Sequence, residues 1–148
     1  MKFKKILKYI LFLLPWFLSS ILSSSKYNYY NSLNLPFFAP PKIIFPIVWF
    51  VLFILIAYTV YKVYPMSDKA YKKALFINYL SNQLFTILFF NLENLFLSFV
   101  DTVIVFMSSL YLYEATYNYD KAVSKYLIPY IIWNLFALIL SLTITVMN

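Results

Sequence analysis

The sequence predicts an all-α integral membrane protein: a single bundle of five transmembrane helices, one domain over residues 1–148, with a long first loop acting as a lid. Three observations predict it. The 148 residues are 64% hydrophobic and 11% charged, with mean hydropathy +0.78, and the apolar segments lack the polar outer faces that a soluble bundle needs. The charges cluster between the apolar runs, as expected when a charged side chain at the bilayer centre costs about 3 kcal/mol. Finally, four of the seven prolines (Pro36, Pro40, Pro41 and Pro46) crowd into NLPFFAPPKIIFPIVWF, Asn34 to Phe50, in a chain with no glycine.

The first apolar segment runs from about Ile6 to Leu22. Its lysine-rich start and Ser19 to Ser25 look like a signal peptide, but no Ala-x-Ala cleavage site follows and the apolar run is long, so it reads as a helix. The loop from about Ser23 to Lys42 is the only long connection and carries Tyr27, Tyr29, Tyr30, Phe37 and Phe38. Proline fixes its own φ and pushes the preceding residue into extended geometry, so Leu35-Pro36 and Ala39-Pro40-Pro41 predict a rigid, non-helical cover. Such a cover is ordered in advance and can hold aromatic rings over an opening. The same residues equally suit a stiff linker with an interfacial aromatic belt.

The second segment spans Ile43 to Tyr61, and Pro46 falls in its first turn, where a proline costs little. The third spans Ala74 to Phe90, the fourth Phe99 to Leu112 extended by Tyr113, and the fifth Tyr126 to Met147. Each approaches the ~20 residues that cross ~30 Å of hydrocarbon, with interfacial residues completing the shorter ones. With five spans, Lys2, Lys4, Lys5, Lys8, Lys62, Lys69, Lys72, Lys73, Lys121 and Lys125 share one side, against Lys26 and Lys42 on the other. The positive-inside rule then places the N-terminus in the cytoplasm and the first loop outside. Lysines beside apolar spans anchor to anionic headgroups, so the net charge of +7 needs no nucleic-acid partner.

The chain has neither cysteine nor histidine, which excludes disulfides, zinc sites, His-based catalysis and His or Cys ligation of haem iron on this chain alone. No metal site is expected.

Polar residues inside the spans form stripes. Asn78, Asn82, Phe85, Thr86 and Phe89 share one face of the third segment; amides in hydrocarbon must find partners, and packing glue between helices is one use for them. In the fifth, Trp133, Ala137 and Ser141 stand at i, i+4 and i+8, so that Ala137 either leaves a recess or lets helices approach. Trp49, Phe53 and Ala57 make a similar stripe in the second, with Trp49 also suited to interfacial anchoring. Asp101 at the start of the fourth segment can face the helix dipole and cap free amides. Tyr58 fits the spacing of a proposed cholesterol motif, a pattern that matches often by chance.

Five local strings in order carry a resemblance: Tyr29-Tyr30; Pro36, Pro40-Pro41 and Val48-Trp49; Asn82-x-x-Phe85-Thr86-x-x-Phe89-Phe90; Val100-Asp101; and Pro129-Tyr130-x-x-Trp133-x-x-Phe136-Ala137. Together, and with Pro15 in the first segment, they resemble the translocator protein family, also called tryptophan-rich sensory proteins or peripheral benzodiazepine receptors. The resemblance implies a five-helix bundle, commonly a homodimer, in a bacterial cell membrane. Its first loop would lid a pocket for porphyrins, haem and related flat hydrophobic molecules, which are ligands and not required cofactors. Carried over position by position, the pocket is Tyr30, Trp49, Asn82, Phe85, Phe89, Trp133 and Ala137. The implied function is a receptor for such ligands in sensing or tetrapyrrole homeostasis. The alternatives are a light-dependent porphyrin-degrading enzyme, for which Trp49 and Trp133 would carry the photochemistry, and a tetrapyrrole transporter. This chain departs from the family pattern at Ile43 and Phe38, which replace tryptophans beside the proline pair, at Phe85 for tryptophan, Asn78 for glutamine and Ser141 for asparagine. The tyrosine and basic residue of the C-terminal sterol motif are absent, and sterol binding is not expected.

Overall fold

The structure, a computed structural model, describes residues 2–22 and 28–148. Residues 23–27, which include Lys26 and Tyr27 of the first loop, lie outside the described residues. Among the described residues every regular element is helical. The first segment forms α1 (Lys2–Leu13), a 3-10 turn (Leu14–Phe17) and α2 (Leu18–Leu22). Pro15 lacks the N–H that a continuous α-helix would use there, and its carbonyl accepts from the Leu18 N–H and from Tyr79 Oη at 3.0 Å. There follow α3 (Asn28–Ser32), α4 (Ile44–Val63), α5 (Lys69–Thr86), α6 (Leu95–Tyr119), α7 (Lys121–Ser124) and α8 (Ile128–Met147).

Three stretches among the described residues, Ile44–Met66, Leu95–Tyr119 and Lys121–Met147, are long and apolar enough to cross a membrane by length and composition. The other two columns differ for visible reasons. Pro15 interrupts the first, and α5 begins with Lys69, Lys72 and Lys73 and buries Asn78, Ser81, Asn82 and Gln83.

Without glycine, side chains and prolines punctuate the helices. Asp68 caps α5 by accepting from the Tyr71 N–H at 2.8 Å, and Asp120 caps α7 through the N–H groups of Ala122 and Val123. Asn94 caps α6, accepting from the Leu97 N–H at 2.9 Å. That cap moves the start of α6 to Leu95, a turn earlier than the apolar pattern placed it, and corrects the role expected of Asp101. The carboxylate lies nearly two turns inside the helix, buried, and accepts from Ser81 Oγ of α5 instead of capping free amides. Between the end of α5 and α6, Glu93 adopts φ 51°, a left-handed conformation that glycine would normally take.

The first loop is non-helical over residues 34–43, as its prolines require, with turns closed by Ala39 N–H to the Pro36 carbonyl and Ile44 N–H to the Pro41 carbonyl, both at 2.9 Å. Upstream of Pro36 nothing forbids helix, and α3 forms there.

The columns make a ring: α1 packs on α4, α2 on α5, α5 on α6 and α6 on α8, while α4 meets the 3-10 turn Lys125–Leu127 that leads into α8. Apolar faces gain little from leaving lipid for protein, so close packing and interhelical hydrogen bonds hold such a ring. One half is solid, filled by Ile56, Ala57, Val60, Val63, Leu112 and Leu127. In the half under the first loop, Tyr30, Phe89, Leu140 and Ile144 form a second cluster and surround a cavity.

Candidate functional site

The cavity encloses about 150 Å³ and opens into a wider depression, about 1200 Å³ in all including the part open to the outside. All seven residues expected to form a pocket line it: Tyr30 from α3, Trp49 from α4, Asn82 and Phe85 from α5, Phe89 from the turn after α5, and Trp133 and Ala137 from α8. The three long helices that supply most of them, α4, α5 and α8, approach from different sides of the ring, so no single helix could build this wall.

Local sequence explains each placement. Pro46 in the first turn of α4 starts the helix immediately beneath the proline strap, which puts Phe45 and Trp49 one turn apart at the mouth. At the end of α5 the helix widens into a π-helical turn, Ile87–Asn91. Phe85 and Phe89 lie across this junction with rings stacked, centroids 5.4 Å apart and planes 14° from parallel. Widened turns of this kind recur at functional sites because they redirect side chains. Trp133 meets Phe45 at 6.0 Å and Phe136 at 5.2 Å, while Trp49 meets Phe53 at 5.3 Å and Tyr130 at 6.2 Å. Both indoles are half-buried against the cavity and do not lie wholly in lipid.

Beside the cavity a polar relay joins α5 to α8. Tyr130 Oη donates to Asn78 Oδ1 at 2.9 Å and accepts from Asn82 Nδ2, which also donates to the Asn78 carbonyl at 3.0 Å. Asn78 Nδ2 donates to Ser108 Oγ of α6 at 2.8 Å. Asn78 is therefore interhelical glue away from the cavity, whereas Asn82 belongs both to the relay and to the wall.

The roof is the first loop. Tyr30 is buried, its ring 5.3 Å from Phe45, and its Oη donates to the Pro40 carbonyl at 3.0 Å, folding α3 onto the proline strap. Tyr29 packs on Phe89 at 5.4 Å and donates to the Glu93 carbonyl at 3.1 Å. Burial first, and the Glu93 carboxylate second, holds the Tyr29 hydroxyl above its ordinary pKa, and burial does the same for Tyr30, so both stay protonated donors. Asn34 joins the loop to Asn148 beyond the last turn of α8.

Some lining residues were not anticipated: Phe45 and Lys42 at the mouth, and Asn134 in the wall. Phe45 stands one turn before Trp49, and Asn134 one turn after Tyr130, so helical spacing from residues already singled out would have reached both. Of the other residues considered, Ser141 lines the cavity, and Phe53 does so at the boundary with the solid half. Ala57 is fully buried in packing, and Tyr58 is engaged by Tyr126 at 5.0 Å and by Lys62 over its ring. Among the described residues no group of three or more carboxylates could hold a metal ion.

The sequence model of the TspO/MBR family matches residues 9–147. Among curated proteins, the chain is 35% identical to the tryptophan-rich protein TspO of Bacillus cereus over 136 residues, which are 90% of this chain and 89% of the relative. It is 34% identical to an uncharacterised membrane protein, YtaB, of Bacillus subtilis over 125 residues, covering 82% of this chain and 81% of that one. It is 31% identical to the tryptophan-rich protein TspO of Archaeoglobus fulgidus over 129 residues, 85% and 84% of the two chains.

Proposed function

This chain belongs to the TspO/MBR family of membrane proteins, and on that premise we propose that it is a receptor for porphyrins and related flat hydrophobic molecules, held in the aromatic cavity beneath the first loop. In this reading all five helical columns span the bilayer, the N-terminus is cytoplasmic, the first loop is an external lid, and the protein works as a homodimer in a bacterial cell membrane. The ten-to-two division of lysines supports the orientation.

One observation carries the reading. Residues from α3, α4, α5 and α8 that lie far apart in sequence converge on one cavity, apolar and aromatic over most of its wall, with a few polar groups at fixed places. That is the usual construction of a small-molecule site. The enclosed volume of about 150 Å³ is below the roughly 300–1,000 Å³ of drug-sized sites, so a tetrapyrrole enters only when the loop lifts and the depression joins the interior. For that movement the loop would give up its hydrogen bonds to Glu93, Met147 and Asn148 and the packing of Tyr29, Tyr30 and Phe38 on the cluster below, while its prolines keep it one stiff piece.

Held this way, a macrocycle gains stability from stacking on Phe85, Phe89, Trp49 and Trp133 and from burial of its faces, about 25 cal/mol per Å² of apolar area. Iron is not the obvious handle, since the chain offers neither histidine nor cysteine to ligate it. Titrating protoporphyrin and haem into detergent-solubilised protein tests this: the two affinities are expected within about tenfold of each other, near the strength of one polar contact. Failure of both to bind would remove the proposal. Illuminating the protoporphyrin mixture and following its absorbance separates a receptor, which leaves the spectrum unchanged, from a degrading enzyme.

A further inference from the structure

Two donors in the cavity wall have no protein partner. The Trp133 indole Nε1 and the Asn134 amide Nδ2 are both buried, both residues line the cavity, and neither atom makes a hydrogen bond. Asn134 is 2% exposed. It lies beside the Tyr130 hydroxyl, which donates to Asn78 and accepts from Asn82, but Asn134 Nδ2 is not in hydrogen-bond geometry to it. An aliphatic side chain would fill this position at no polar cost. A buried donor left unmatched is unfavourable, and the penalty is lifted only when an acceptor enters. Sites built in this way discriminate strongly against analogues that lack the matching group.

We propose that Trp133 Nε1 and Asn134 Nδ2 form a donor subsite that selects flat polycyclic ligands bearing an sp² oxygen acceptor, a ring carbonyl or a carboxylate, over hydrocarbons of the same shape. The inference rests on the reading that the cavity is a ligand site, and it names what that site reads. The phenyl rings on the other walls, Phe45, Phe53, Phe85 and Phe89, offer such an oxygen only faces and edges. Of the polar groups that line the cavity, these two on one turn of α8 are the ones buried without a partner. The small enclosed volume also favours a compact fused-ring molecule as the probe of this wall.

Fluorenone and fluorene are a suitable pair, since they differ by one carbonyl oxygen on the same tricyclic frame. Their binding to the full-length protein in detergent, corrected for partition into micelles, is expected to favour fluorenone by roughly tenfold. Asn134→Leu should remove most of that preference by weakening fluorenone while leaving fluorene unchanged or slightly tighter. The carbonyl stretch of bound fluorenone needs no variant: it is expected to shift down in frequency from its position in hydrocarbon solvent, as a hydrogen-bonded carbonyl does. Equal affinities for the two probes, an unshifted carbonyl band, or an Asn134→Leu protein that keeps the wild-type preference would each overturn the proposal. None of these results would touch the ligand-site reading, which the protoporphyrin titration decides separately.

Discussion

Asn34 and Asn148 bracket each other across the edge of the cavity roof. The Asn34 backbone N–H donates to Asn148 Oδ1 at 2.9 Å, and Asn148 Nδ2 donates back to the Asn34 carbonyl at 3.1 Å. Asn148 Nδ2 also reaches the Ile144 carbonyl at 2.8 Å, so the same side chain closes the last turn of α8 and fastens the loop to it. The bracket is exposed to solvent, where a hydrogen bond is worth only about 0.5–1.5 kcal/mol.

If the loop lifts as proposed, so weak a fastening at its edge affects rates more than folding. Asn148→Ala is expected to release bound protoporphyrin several-fold faster in a stopped-flow displacement experiment, with the thermal midpoint of the empty protein nearly unchanged. An unchanged release rate would mean that the loop does not lift along this edge.

Tyr130 is the hub of the buried relay, and removing its hydroxyl strands groups on α5. Tyr130→Phe leaves Asn78 Oδ1 without its 2.9 Å donor and takes away one acceptor of Asn82 Nδ2. The expected loss is about 1–2 kcal/mol, toward the upper end for interhelical hydrogen bonds in membranes. Thermal unfolding in detergent measures it, with Tyr111→Phe at a half-exposed position as the control. Equal midpoints for the two variants would show that the relay contributes nothing to stability.

Glu93 carries backbone strain in place of a glycine. Its φ of 51° disfavours a side chain with a Cβ, and its contact with the roof uses the backbone carbonyl, which any residue supplies. Glu93→Gly is therefore expected to stabilise the protein by about 0.5–1 kcal/mol, the gain being reduced by glycine's greater entropy in the unfolded chain. A lowered thermal midpoint would place the importance of Glu93 in its carboxylate.

Much of the site was legible in the sequence because it follows helical spacing. Asn82, Phe85 and Phe89 on one stripe, Trp133 and Ala137 on another, and Trp49 just inside a proline-started helix all point into one cavity. The proline strap was legible for a related reason, since Pro36, Pro40 and Pro41 leave the backbone almost no helical choice. What the sequence hid depends on contacts between segments. Whether Asp101 caps a helix or meets Ser81 turns on whether Asn94 claims the cap about two turns earlier, and an apolar pattern does not register a single polar cap. The π-helical turn that aligns Phe85 with Phe89 has no composition of its own. Asn134 is one more polar residue in a span, and only the unpartnered Nδ2 of its buried amide sets it apart.

Ala137 is the small residue that keeps the recess open between Trp133 and Ser141, and filling it tests the account most directly. Ala137→Phe should abolish protoporphyrin binding in a fluorescence titration while the circular dichroism spectrum retains wild-type helical content. Unaltered affinity in a well-folded Ala137→Phe protein would contradict the account, because the ligand would then have to lie outside this cavity.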